Sequence, residues 1–134
     1  MTLSTSDNPV EAKRYLAVIE AYLLAAVCCA LFGAVYELFS HEVYSCFMIY
    51  AFAFPLLLGA VPFFLMLKHE KHFPGKGADL IHAGVAAWTV GSILQGVLQI
   101  YGTSSPLTAF YWAAGGVLLS IGWPLTVKSL VTRD

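Results

Sequence analysis

Hydrophobic and polar positions follow one another along this chain in long blocks. Four apolar stretches with almost no charge cover residues 15–39, 43–67, 80–101 and 107–127. Each is longer than the about 20 helical residues that cross the ~30 Å hydrocarbon core of a bilayer. Backbone polar groups must bond internally in lipid, and the alternating polarity of a barrel strand is missing, so the pattern predicts α-helices. We therefore predict an all-α integral membrane protein, a four-transmembrane-helix bundle with helices at about 9–39, 43–68, 79–101 and 106–128.

Short polar turns join the first stretch to the second and the third to the fourth. Turns this short make consecutive helices antiparallel neighbours, so the sequence predicts two antiparallel hairpins in one domain covering residues 1–134. Sliding the chain by 62 residues aligns the two hairpins without a gap and places Glu37 on Gln99 and Pro62 on Pro124. This match gives the hypothesis of a parallel internal repeat of two helices each.

The second apolar stretch contains two prolines, Pro55 and Pro62, with Gly59 between them. A proline inside a helix removes a backbone hydrogen-bond donor and bends the helix. We expect both prolines to bend the second helix, and the alternatives are tighter packing or a wider space between helices.

Charge gives the expected orientation. Only 11% of the residues are charged and 59% are hydrophobic, whereas a soluble domain has about 25% charged residues. All basic residues flank the same ends of the apolar stretches: Lys13, Arg14, Lys68, Lys71, Lys76, Lys128 and Arg133. The positive-inside rule then predicts a multi-pass protein of the cell membrane with N-terminus, C-terminus and the 68–79 loop in the cytosol. The net charge of −1 argues against a nucleic-acid partner.

One face of the third stretch is polar. Its members recur every three or four residues, which keeps them on one helical face: Thr89, Ser92, Gln95 and Gln99. Glu37 and Tyr101 lie at the same predicted depth as the outer end of this stripe. Polar groups inside a membrane often mark function, so these six residues predict a substrate-binding pocket that opens outward and accepts a small molecule. The alternative is ordinary hydrogen bonding between helices.

The cytosolic connection holds three of the four histidines. Imidazoles bind zinc and similar ions, so His69, His72 and His82 form a candidate metal site. The alternative is a basic loop that contacts anionic lipid headgroups, and the helix-breaking run Phe73-Pro74-Gly75 favours it. His82 is also predicted to lie at the depth of Glu20, with which it would form a polar pair at the cytosolic boundary.

Small residues recur along three of the stretches, where they let helices approach closely in lipid. These ridges are Ala17, Ala21, Ala25, Cys29 and Gly33; Ala83, Ala87 and Gly91; and Ala113 to Gly116 with Ser120.

The sequence lacks the Gly-x-Ser-x-Gly, His-Glu-x-x-His and phosphate-loop motifs of common catalytic sites. We therefore predict a non-catalytic membrane protein without a cofactor. It would act in the lipid bilayer through helix–helix contacts, as a homo-oligomer or as an accessory subunit of another membrane protein. One alternative is a small-solute transporter or binding protein that uses the outward pocket. The second is a membrane enzyme or metal-binding protein that uses the cytosolic histidines.

Overall fold

The structure, a computed structural model, describes residues 9–69, 71 and 73–133. Its helices follow the chain in this order: α1 (Pro9–Leu38), α2 (Cys46–Ile49), a π-helix (Phe54–Ala60), α3 (Val61–Lys68), α4 (Gly75–Tyr101) and α5 (Leu107–Arg133). No strand occurs within the described ranges. The predicted all-α class is therefore confirmed for this part of the chain.

Three helices among the described residues are long and apolar enough to cross a membrane. They are α1, α4 and the Leu107–Thr132 part of α5. At 1.5 Å per residue each measures about 40 Å or more, which exceeds the ~30 Å hydrocarbon core. By length and composition, the chain has the architecture of a helical membrane protein.

The second apolar stretch is broken into three helical pieces. A turn over residues 50–52 separates α2 from the π-helix, which runs directly into α3. Pro55 lies in the first turn of the π-helix and Pro62 in the first turn of α3. The missing N–H of a proline is tolerated at that position. The prolines thus mark where helical segments begin, whereas the sequence suggested two bends in one continuous helix.

Helices α4 and α5 form a closely packed antiparallel hairpin. Glycines of α4 lie directly against α5: Gly77 meets Thr126, and a Cβ added to Gly84 would lie 2.7 Å from Leu119 Cγ. Towards the other end of the hairpin, Trp88 Nε1 donates a hydrogen bond to the carbonyl of Trp112 at 3.0 Å. Small residues on α4 therefore bring the two helix axes together, as expected for packing in lipid.

Helix α1 packs antiparallel to the broken stretch. Near its start, the buried Tyr15 ring lies 6.4 Å from the Phe63 ring of α3, measured between centroids. Further along, the Tyr22 ring occupies the space where a side chain on Gly59 of the π-helix would be. At the far end, a Cβ on Gly33 would lie 3.0 Å from the carbonyl oxygen of Met48 in α2. The broken stretch therefore follows α1 from end to end.

The buried core lies towards the end of the bundle that carries the basic residues, called here the basic end. Its residues come from α1, α3, α4, α5 and the 69–74 connection: Tyr15, Ile19, Phe63, Met66, Phe73, Ala78, Ile81, Val85 and Leu119. The guanidinium of Arg14 covers the ring of Phe73, with Cζ 4.4 Å from the ring centroid. A cation–π contact of this kind fixes the connection against the start of α1.

Candidate functional site

A polar cluster joins three elements at the end opposite the basic end. Glu37 Oε1 accepts a hydrogen bond from the backbone N–H of Ser45 at 3.1 Å. The Ser45 hydroxyl donates to Gln99 Oε1 at 2.7 Å. Ser45 thus ties the end of α1 and the start of α2 to the end of α4. The sequence predicted that Glu37 and Gln99 lie at one depth, but it gave no sign of the serine that connects them.

One atom of this cluster has no partner. Glu37 Oε2 is buried and accepts no hydrogen bond from the described part of the chain. A buried polar atom without a partner is unusual in folded proteins. It marks this carboxylate as the least satisfied group of the cluster.

The remaining polar residues of α4 do not share one cavity. Ser92 is buried and donates to the carbonyl of Phe47 at 2.6 Å. That carbonyl is available because the N–H of Ala51 bonds Met48 after α2 ends. Thr89 donates to Val85 in its own helix at 2.7 Å, and Gln95 is half-buried. Ser92 and Gln99 therefore use hydrogen bonds to hold α4 to the broken stretch.

Tyr101 lies apart from that face and is 82% exposed. It lines a cavity of about 320 Å³ together with Tyr36 in the last turn of α1 and with Ser40 and His41, which follow that helix. Thr89, Ser92 and Gln95 take no part in it. The six residues of the predicted pocket therefore do not line one common cavity.

A larger groove of about 580 Å³ lies between α1 and α4, with Pro55 of the π-helix also lining it. We call it the α1–α4 groove. Its walls are mostly small or apolar: Ala17, Ala21, Tyr22 and Ala25 on α1, and His82, Ala86, Thr89 and Val90 on α4. Cavities of about 300–1,000 Å³ with apolar walls and a few polar groups are typical of ligand sites. The small-residue ridge of α1 therefore borders open space over half of its length.

The polar groups of the groove are Tyr22, His82 and Thr89. The Tyr22 hydroxyl and His82 Nδ1 form a hydrogen bond. The rings of both residues stack on Phe63, with the His82 ring centroid 5.1 Å from that of Phe63 and the two planes 26° apart. Glu20, the residue expected to pair with His82, is exposed on α1. His82 therefore meets a different residue of the same helix, two positions further on.

Of the three histidines predicted to bind a metal, the structure describes His69 and His82. His69 is exposed at the end of α3, while His82 lies in the groove. His72 lies outside the described residues. Among the residues that the structure describes, no group of three or more histidine, cysteine or acidic side chains is arranged to hold a metal ion.

By fold, then, the chain is a helical membrane protein with a groove between α1 and α4. Comparison with models of known protein families gives no match, and comparisons with curated proteins and with solved structures give none either. Its function must therefore be argued from its own surfaces and sites.

Proposed function

We propose that this chain is a non-catalytic membrane protein with four crossings, and that it acts through helix–helix contacts within the bilayer. Helix α5 would supply the contact surface, in a homo-oligomer or as an accessory subunit of another membrane protein. The broken stretch would be the second crossing. The pairing of two hairpins as an internal repeat belongs to this proposal, although their second arms differ, since α5 is continuous and the broken stretch is not.

The fourth crossing is supported by contacts at both ends of the broken stretch. Its start at Ser45 bonds Gln99, near the end of α4. Its other half places Phe63 against Tyr15, near the start of α1. The broken stretch thus contacts α4 at one end of the bundle and α1 at the other, which supports a fourth crossing, although its π-helix and α3 alone measure only about 22 Å.

The orientation is supported by the charge pattern. The basic residues lie in the first part of α1, in the last part of α5 or in the predicted 68–79 connection. The turns around Ser40 and Ser104 contain neither lysine nor arginine. Under the positive-inside rule, both termini and that connection are cytosolic.

The observation that carries the contact function is the difference between two neighbouring glycines of α5. A side chain on Gly115 would meet Trp88, with Cβ 2.7 Å from Nε1, and would lie 3.0 Å from the carbonyl oxygen of Gly84. A side chain on Gly116 would approach only the edge of the Trp88 ring, at 3.9 Å. Packing within the chain thus explains Gly115 and leaves Gly116 without a reason.

Gly116 belongs to a row of small residues spaced by three or four positions, which we call the α5 small-residue face. The row is half-buried at Gly116 and exposed elsewhere: Ala109, Ala113, Gly116 and Ser120. Glycine destabilises a helix by about 1 kcal/mol relative to alanine, and its small size does not improve the packing of acyl chains against the helix. It does improve the packing of a second helix, because small residues permit close approach of the two backbones.

The test is self-association in lipid vesicles, measured by energy transfer between labelled copies at varied protein-to-lipid ratio. Gly116→Leu and Ala113→Leu are expected to weaken association at least tenfold, or by roughly 1.4 kcal/mol. Ala30→Leu is the matched control, because Ala30 is exposed on α1 and takes no part in the face.

Unchanged association in both α5 variants would exclude the α5 small-residue face as the contact surface. A wild-type chain that remains monomeric at all ratios would exclude the homo-oligomer. If the chain is instead an accessory subunit, Gly116→Leu and Ala113→Leu should no longer co-purify with the partner membrane protein.

A further inference from the structure

Two side chains lie between α1 and α4, one towards each end of the α1–α4 groove. Towards the basic end, the Phe63 ring of α3 lies 6.1 Å from the Tyr22 ring of α1 and 5.1 Å from the His82 ring of α4, measured between centroids. Towards the other end, Met48 lies between the two helices. A Cβ on Gly33 would be 3.0 Å from its carbonyl oxygen, and a Cβ on Gly96 would be 2.9 Å from its backbone nitrogen.

The short length of the groove limits which molecules can fill it. The α1 wall extends from Ala17 to Ala25, which is about 12 Å along the helix axis. A crossing helix would need a continuous surface more than twice as long to lie alongside α1. The groove opens at its sides instead, since Ala17, Ala21, Ala86 and Val90 are exposed. Its shape fits a small lipophilic molecule that enters from the bilayer.

The hydrogen-bonded residues Tyr22 and His82 indicate which polar group the molecule carries. When the Tyr22 hydroxyl donates to Nδ1 of a neutral imidazole, the ring proton is on Nε2. Within the described chain, the bond at Nδ1 is the one hydrogen bond of the His82 ring. Nε2–H therefore remains as a donor beside the groove, in a wall that is otherwise almost entirely apolar.

Packing fixes the direction of this donor. Phe63 is fully buried and stacks on both rings. Gly59 leaves room for Tyr22, so the position of the phenol depends on the π-helix. π-Helices occur frequently at functional sites because they displace side chains from their α-helical positions.

We propose that the α1–α4 groove binds a lipophilic carbonyl compound, with an apolar body between the alanines of α1 and α4 and a carbonyl oxygen that accepts a hydrogen bond from His82 Nε2. The same chemistry is offered by a membrane-dissolved ketone or quinone and by the acyl ester of a phospholipid. This site uses none of the residues of the α5 small-residue face, so either proposal can fail without the other.

The probe is 6-dodecanoyl-2-dimethylaminonaphthalene, a lipophilic ketone whose fluorescence shifts to longer wavelength when its carbonyl accepts a hydrogen bond. It is titrated into the full chain in vesicles of ether-linked phospholipids, which contain no ester carbonyl. Wild type is expected to bind it saturably with a red-shifted component.

Two kinds of variant test the two parts of the site. His82→Leu is expected to weaken binding about tenfold, as for the loss of one hydrogen bond, and to remove the red shift. Ala21→Leu and Ala86→Leu fill the groove from opposite walls and should abolish saturable binding. Ala30→Leu, again the control on α1, should bind like wild type. Each variant is compared with wild type by tryptophan fluorescence, and the two filling variants give independent readings if one misfolds.

Competition identifies the source of the carbonyl. Displacement by ester-linked phospholipid would make the ligand a bulk lipid, and displacement only by a decyl-substituted benzoquinone would make it a dissolved carbonyl compound. The proposal is overturned if wild type shows no saturable binding. It is also overturned if binding survives both groove-filling variants, or if the red shift survives His82→Leu.

Discussion

The contact between Met48 and Gly96 should control the stability of the whole bundle, and Gly96→Ala tests it. The added methyl group would lie 2.8 Å from Met48 Cβ, 2.9 Å from its backbone nitrogen and 3.0 Å from its Cα. Two of these atoms are backbone, so α2 itself would have to move. It cannot retreat towards α1, because the carbonyl of Met48 already lies against Gly33.

The expected magnitude follows from two opposing effects. Overpacking of a well-packed site costs about 1–3 kcal/mol, and the blocked retreat of α2 places Gly96→Ala near the upper value. Replacing glycine by alanine inside a helix returns up to about 1 kcal/mol. The net loss is therefore about 2 kcal/mol, which is roughly a 30-fold increase in the unfolding equilibrium constant.

The assay is equilibrium unfolding in mixed micelles with increasing dodecyl sulfate, followed by the fluorescence of the three tryptophans. Gly75→Ala is the matched control, because no atom lies within 4 Å of the methyl group it would add. Its stability should stay within about 0.5 kcal/mol of wild type. A Gly96→Ala protein as stable as this control would show that α2 does not wedge between α1 and α4.

Two further predictions concern the polar contacts of α4 and α1, measured by the same unfolding assay. Ser92→Ala removes the bond to the carbonyl of Phe47 and should lower the free energy of unfolding by about 0.6 kcal/mol, and by at most about 1.7 kcal/mol. The control Ser120→Ala removes only a bond within an exposed turn of α5 and should leave the stability unchanged. Equal losses of stability in the two variants would contradict a Ser92 bond that joins two segments. Glu37→Ala leaves the N–H of Ser45 without its acceptor and should lower the free energy of unfolding by about 1–3 kcal/mol. Glu37→Gln keeps an acceptor oxygen and should retain most of the stability. A Gln variant as unstable as the Ala variant would show that the negative charge of Glu37 stabilises the cluster.

Much of the helical layout was predictable because lipid imposes simple length rules. The first predicted helix, 9–39, agrees with α1 to one residue, and the predicted ends of α4 and α5 lie within about five residues of those observed. The second helix was different. The hydropathy pattern shows 43–68 as one apolar block. The helix boundaries within it depend on the positions of the prolines, which lack an N–H, and on the carbonyl of Phe47, which accepts a hydrogen bond from the Ser92 hydroxyl and not from a backbone amide.

The candidate site was less predictable, because it depends on packing between distant segments. The three- and four-residue spacing of the α4 stripe predicted a pocket, with hydrogen bonding between helices as the alternative, and Ser92 and Gln99 bond residues of another segment. The same spacing could not identify Tyr22, since one tyrosine in an apolar helix resembles any core aromatic. The α1–α4 groove has no local signature either, because its volume results from how closely Met48 and Phe63 hold α1 to α4 at either end.

The π-helix also fixes the rotational phase of the second apolar stretch. In an α-helix each residue advances the direction of the side chain by about 100°, with a rise of only 1.5 Å. Removing a single residue from Phe54–Ala60 would shorten the stretch very little, yet it would turn α3 by roughly a quarter of a revolution relative to α2. Phe63 and Met66 would then leave the core for the lipid-facing side. In this segment, a change in the number of residues would therefore disturb the packing of the core more than a change from one hydrophobic residue to another.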